Sequence, residues 1–226
     1  MLYLGLNAGV LAGNIAAHAA GIDAFRVFGA TMLLTVPALF GSRLLGALTN
    51  WQRTRRRPRR FWGSSQGGGQ YGGLILALPL SVPLLRLLHL SLGAFWDVAM
   101  FTILVAMFFG RIGCWLHGCC TGRRADNWMT FNSPDSRGKW HRRYPTQLLE
   151  AAWSLVLLVL AVAVWRRMPF PGALFLFISA IYAIGRVFME SLREHLSVEG
   201  SFTIHHGISV AMIVLCTAAL VWRWPK

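Results

Sequence analysis

The chain has 226 residues, of which 55% are hydrophobic and only 13% charged, and its mean hydropathy is +0.51. A soluble domain carries about 25% charged residues, so this composition excludes an ordinary water-soluble core and points to lipid as the solvent. The length suits one bundle of helices without a second domain. The formal net charge of +14 gathers in two clusters and reads as attraction to anionic lipid headgroups, with no nucleic acid as partner.

A membrane-spanning helix needs about 20 mostly apolar residues, and runs of that kind lie at 2–20, 25–48, 71–91, 94–116, 147–166, 170–191 and 203–223. The first is interrupted by Asn14 and His18. It lacks a basic segment ahead of it, so it reads as a spanning helix and not as a cleavable signal peptide. The second carries Arg43 and leads into a connection, 49–70, that begins with Arg53, Arg55, Arg56, Arg57, Arg59 and Arg60 and ends in Gly67-Gly68-Gly69. The third opens on Tyr71-Gly72-Gly73 and contains Pro79 and Pro83, which predict a kink. The fourth holds Arg111 and is followed by a polar connection, 118–146, with basic residues from Arg123 to Arg143. The last two spans hold Arg186 and Cys216. The predicted fold class is therefore all-α: a polytopic membrane protein with about seven transmembrane helices. It forms a single domain over 1–226, with a basic arm at 49–70 and a small extramembrane loop at 118–146. Both basic connections fall on the side of the N-terminus, which positive-inside counting makes cytoplasmic.

An arginine at membrane depth costs at least about 2.5–3.5 kcal/mol, so Arg111 and Arg186 are expected to face a polar cavity or a partner. Their guanidinium forks match the paired oxygens of a phosphodiester. A structural ion pair or a side chain snorkelling to the interface is the plainer alternative. Glu190 follows Arg186 by four residues, on the same helix face. Glu150 stands near the start of the fifth span, and neutralising the arginines is as fitting a role for these carboxylates as catalysis. Gly72 and Gly73 allow close approach either to a ligand or to another helix.

The run Cys114-Trp115-Leu116-His117-Gly118-Cys119-Cys120 offers three thiols and an imidazole. Its spacing does not match common zinc modules, and adjacent cysteines rarely share one ion, so neither metal nor cofactor is expected. A disulfide or plain packing by small residues are the other readings.

Taken together, the motifs resemble those of the prolipoprotein diacylglyceryl transferases of bacterial inner membranes. The family's Gly-Arg-x-Gly-Asn-Phe-x-Asn-x-Glu-x-x-Gly signature corresponds to the stretch from Gly110 to Gly122, where Arg111, Gly113 and Gly122 match. Its two asparagines fall on Cys114 and His117, and its glutamate on Cys119. The His-Pro-Ser-Gln-Leu-Tyr-Glu motif appears as Tyr144-Pro145-Thr146-Gln147-Leu148-Leu149-Glu150. The motif Tyr-x-x-x-Arg-x-x-x-Glu-x-x-Arg is met by Tyr182, Arg186, Glu190 and Arg193 without a gap. His-Gly-Gly reads Tyr71-Gly72-Gly73, and Gly41-Ser42-Arg43 is similar to the family's Gly-Gly-Arg.

The resemblance implies transfer of the diacylglyceryl group from phosphatidylglycerol to the lipobox cysteine thiol of a prolipoprotein, with a thioether formed and glycerol phosphate released. It implies a multi-pass protein of the bacterial inner membrane, with phosphatidylglycerol, the lipobox peptide and membrane lipid as partners, and with the N-terminal side facing the periplasm. It further implies Arg111, Arg186, Tyr71 and Glu190 as catalytic residues. Arg43, Gly72, Gly73, Gln147, Glu150, Tyr182, Arg193, His117, Cys114 and Cys119 are implied as substrate-binding residues. Where the family has its histidine this chain has Tyr71, a phenol whose ordinary pKa near 10 keeps it protonated at neutral pH. Two other functional classes fit the same residues: a non-catalytic lipid-binding or transport protein, and a thiol- or metal-based membrane redox protein.

Overall fold

The computed structural model describes residues 1–49, 51, 55, 69–134, 140–192 and 204–224. Among the described residues the chain forms seven α-helices: α1 (Leu2–Ala19), α2 (Ala24–Thr49), α3 (Gly69–Leu87), α4 (Leu92–His117), α5 (Thr146–Val164), α6 (Ala173–Ser191) and α7 (Ile204–Arg223). They coincide with the seven apolar runs. A short 3-10 turn, Trp165–Arg167, extends α5. Within the loop at 118–146, β1 (Phe131–Pro134) and β2 (Trp140–Arg143) pair as an antiparallel hairpin, with Phe131 opposite Arg143. The polar connection at 118–146 thus carries regular structure of its own.

Helix ends follow local chemistry. Gly21 takes the left-handed conformation after α1, and the Ile22 amide donates back to the Ala17 carbonyl at 3.0 Å, closing the helix. Asp23 then starts α2, its carboxylate accepting the amides of Phe25 and Arg26 at 3.0 and 3.1 Å. The first turn of α6 is capped from another helix. Buried Asp97 of α4 accepts the amides of Gly172 at 2.7 Å and Phe175 at 2.9 Å. That acid satisfies amide groups that neither lipid nor apolar core can.

Among the described residues five helices are long and apolar enough to cross a membrane: Ala24–Leu48, Leu92–His117, Thr146–Arg167, Ala173–Ser191 and His206–Arg223. The apolar part of α3, Tyr71–Leu87, is shorter. In α1, Asn7, Asn14 and His18 dilute the apolar run. Large apolar side chains point outward along the bundle, including Phe25, Val36, Val159, Phe188 and Leu215. Such exposure is expected where lipid, and not water, covers the protein.

Helix α4 is the hub, packing against α1, α5 and α6, while α2 lies along α3 and α7 along α6. The α1–α4 contact is made by Gly5, Gly9 and Gly13, at each of which a side chain would run into Thr102, Ala106 or Phe109. Without water-driven burial between helices in lipid, small residues in register let backbones approach closely and gain dispersion contact. The apolar core sits around the first half of α4, where Phe95, Trp96, Met100, Phe101 and Leu104 pack with Leu157, Leu174 and Ile178. The other end of α4 is polar, and every charge of the site lies there.

Candidate functional site

The helices alternate in direction, so α4 and α6 end where α3, α5 and α7 begin. At that end a single carboxylate, Glu150 in the first turns of α5, joins arginines from two other helices. Arg111 of α4 reaches Glu150 Oε2 at 2.5 Å and Arg186 of α6 reaches Oε1 at 2.6 Å. The second fork nitrogen of Arg186 meets Glu190 at 3.0 Å, one helical turn on. All four side chains are less than a tenth exposed. Burying one of these charges alone would cost several kcal/mol, and pairing of each is what makes the cluster tolerable. The Nε of Arg186 is buried and has no hydrogen-bond partner among the described residues.

The surroundings of Arg186 come from three helices. Tyr71 of α3 is buried, and its hydroxyl lies 2.6 Å from Ser209 Oγ of α7. Arg186 interacts electrostatically with Glu150, Tyr182, Glu190 and Tyr71, and Arg111 with Glu150, Tyr182 and Cys120. A side chain at Gly185 would strike the indole of Trp153, so the glycine before Arg186 brings α5 and α6 together where Glu150 must reach across. The structure thus gathers Arg111, Arg186, Glu150, Glu190, Tyr71 and Tyr182 into one network.

Other candidates stand differently. Gly72 and Gly73 lie against α2: a side chain on Gly72 would meet the backbone of Gly41, and one on Gly73 the carbonyl of Ala38. Their missing side chains serve helix packing. Arg43 and His117 are exposed on α2 and at the end of α4. The side-chain amide of Gln147 donates to the Cys119 carbonyl at 2.8 Å. Arg193 and most of the arm at 49–70 lie outside the described residues.

The sulfur atoms of Cys114, Cys119 and Cys120 lie within 4.8 Å of one another. Hydrogen bonds to Cys114 and Cys120 hold the thiol of Cys119 above the ordinary cysteine range. Ser209 and the buried Arg143, which donates to Thr121 Oγ1 at 3.3 Å and to the Gly122 carbonyl at 3.4 Å, are not marked out by the sequence. A lone hydroxyl in an apolar span and one arginine among many carry no distinguishing signal.

A family model described as prolipoprotein diacylglyceryl transferase matches residues 1–222. Among similar proteins, phosphatidylglycerol–prolipoprotein diacylglyceryl transferase 2 of Clostridium perfringens is 27% identical over 182 residues, covering 77% of this chain and 69% of the relative. The phosphatidylglycerol–prolipoprotein diacylglyceryl transferase of Dehalococcoides mccartyi is 25% identical over 198 residues, covering 86% and 76%. That of Synechococcus elongatus is 26% identical over 213 residues, covering 89% and 74%.

Proposed function

We infer that this chain, which belongs to the prolipoprotein diacylglyceryl transferase family, transfers the diacylglyceryl group of phosphatidylglycerol to the cysteine thiol of a prolipoprotein. The observation that carries the reading is the pair of buried arginines, drawn from two helices and held by Glu150 at one end of the bundle. In the reaction the acceptor thiol loses its proton and its sulfur bonds to a glyceryl carbon. The bond from that carbon to the phosphate oxygen breaks, and glycerol phosphate leaves with the electron pair. One negative charge develops on the departing phosphate, where donors already oriented in a dry site are worth most.

In this proposal Arg111 and Arg186 hold the phosphate. The network's two positive and two negative charges cancel, so an incoming phosphodiester must share or take a guanidinium edge. The Nε edge of Arg186, which neither glutamate engages, is the natural point of entry. Glu150 holds two guanidinium groups and acts as their organiser. Glu190 holds one and is the carboxylate to take up a proton. Tyr71 and Tyr182 belong to the same network around Arg186, with Tyr71 donating to the phosphate. Arg43, Arg193 and the basic residues of 49–70 supply further positive charge for the headgroup.

The bundle alternation and the exposed apolar faces support a single domain in which all seven helices cross the bacterial inner membrane. Its N-terminus and the charged end face the periplasm, where a translocated acceptor thiol would arrive. The test is a purified assay with labelled phosphatidylglycerol and two peptides, one with the acceptor cysteine and one with serine in its place. Label should pass to the cysteine peptide alone and only with Arg186 intact. Equal turnover by Arg186→Ala, or lipid binding without any product, would overturn the assignment.

A further inference from the structure

The three-cysteine cluster beside Arg111 is not used by the phosphate grip. Its geometry is built by the end of α4. Gly118 is left-handed, and the Cys119 amide donates to the Cys114 carbonyl at 3.1 Å. This is the glycine-closed helix end in which the residue after the glycine folds back over the one five positions earlier, and here both residues are cysteines. Cys120 then takes a positive φ of 59°, a conformation that strains a non-glycine residue. Packing alone would not require that strain, but it turns the third thiol toward the other two. The first turn of α5 clamps the loop: Gln147 donates to the Cys119 carbonyl at 2.8 Å, and Thr146 Oγ1 to the Cys120 carbonyl at 3.0 Å.

We propose that Cys114, Cys119 and Cys120 form a binding site for a thiophilic d10 cation of the zinc class, with a fourth coordination position open to the acceptor thiol. Thiolates on tetrahedral zinc, bound at about 2.3 Å, lie about 3.8 Å apart. Sulfur atoms already within 4.8 Å of one another therefore close by about 1 Å. The thiols are half-buried, so an ion can reach them and a fourth ligand can follow. Three thiolates on a divalent cation carry one net negative charge, which the field of Arg111, in electrostatic contact with Cys114 and Cys120 as well as with Glu150, offsets in part. Three protein ligands with one open position is the arrangement of catalytic rather than structural zinc.

The acceptor role rests on the transferase reading, whereas the metal site stands on geometry alone. A thiol entering the fourth position loses its proton, which Glu190 takes up as in the transferase reading, and is held as a thiolate. Its sulfur then forms the bond to the glyceryl carbon as the carbon–oxygen bond to phosphate breaks and glycerol phosphate leaves with that electron pair. No oxidation occurs, and the metal keeps its three protein ligands.

The test uses the full chain, purified in detergent under reducing, oxygen-free conditions and titrated with Co2+ as a spectroscopic probe and with Zn2+. One Co2+ per chain, with the visible bands of tetrahedral thiolate ligation and displacement by Zn2+, is expected. Cys114→Ser, Cys119→Ser and Cys120→Ser should each weaken binding more than the 10–100-fold typical of losing an outer-shell contact. A cysteine peptide, but not its serine counterpart, should perturb the cobalt spectrum. Absence of a thiolate-bound metal in the wild-type chain, or affinity unchanged in all three variants, would overturn the site. A bound metal whose spectrum ignores the cysteine peptide would overturn the open position. Because these are readouts of binding, a chain that binds metal yet transfers no lipid would refute the transferase reading and leave the metal site standing.

Discussion

Replacing Glu150 by glutamine removes one negative charge from between two buried guanidinium groups while keeping side-chain length and one acceptor oxygen. Arg111 and Arg186 lie 2.5 and 2.6 Å from that carboxylate, and none of the three side chains is more than 8% exposed. Breaking a buried pair by neutralising one partner costs ~3–5 kcal/mol, because the remaining charge stays buried without compensation. For a chain of this length each kcal/mol moves the unfolding midpoint by about 2–4 °C, so Glu150→Gln should melt about 6–20 °C lower in detergent. Phosphatidylglycerol should recover more of that loss in the variant than it adds to the parent, since its phosphodiester replaces the missing charge and ligand binding stabilises the folded state. Diacylglycerol, with the same acyl chains and no phosphate, should not. Transfer should fall by roughly 100-fold or more, because the phosphate donors are no longer held in position. A variant that melts and turns over like the parent, or that diacylglycerol rescues equally, would refute the view that Glu150 organises a phosphate-binding arginine pair.

Arg186→Lys should lose at least about 100-fold in transfer despite keeping the charge, since an ammonium cannot span Glu150, Glu190 and a phosphate as the planar fork does; near-normal kcat would contradict this. Tyr71→Phe removes the hydroxyl 2.6 Å from Ser209 and, as one hydrogen bond to a charged group is worth about 1.5–3 kcal/mol, should slow transfer by about 10–100-fold, measured in the same peptide assay. Gly72→Leu should separate α2 from α3, because even a first side-chain carbon there collides with the Gly41 backbone; the yield of folded protein on size-exclusion chromatography should drop, with overpacking of about 1–3 kcal/mol or more. A protease site fused before Met1 should be cleaved in intact spheroplasts; protection until lysis would reverse the proposed orientation.

Much of this protein is legible in one dimension. Apolar run length locates the helices because a helix in lipid satisfies its own backbone and needs only side chains that lipid accepts. The Arg186–Glu190 contact follows from helical spacing alone. The ends of α1 and α4 are written in Gly21 and Gly118. Even the return of Cys119 onto Cys114 is implicit in a glycine placed between them, although the residue spacing, judged against known zinc modules, argued the other way.

Tertiary structure decided what depends on how separate helices are set against one another. That Glu150 bridges Arg111 and Arg186, and does not merely neutralise one of them, requires α5 to stand between α4 and α6 at a particular height. Gly185 against Trp153 helps set that height, and no local pattern encodes it. The same holds for Gly72 and Gly73, which serve packing, and for Gln147, which clamps the cysteine loop. Sequence periodicity specifies which face of a helix is polar. Which partner that face meets is fixed by small residues and buried charges on other helices, whose pairing is non-local and emerges only when the bundle is assembled.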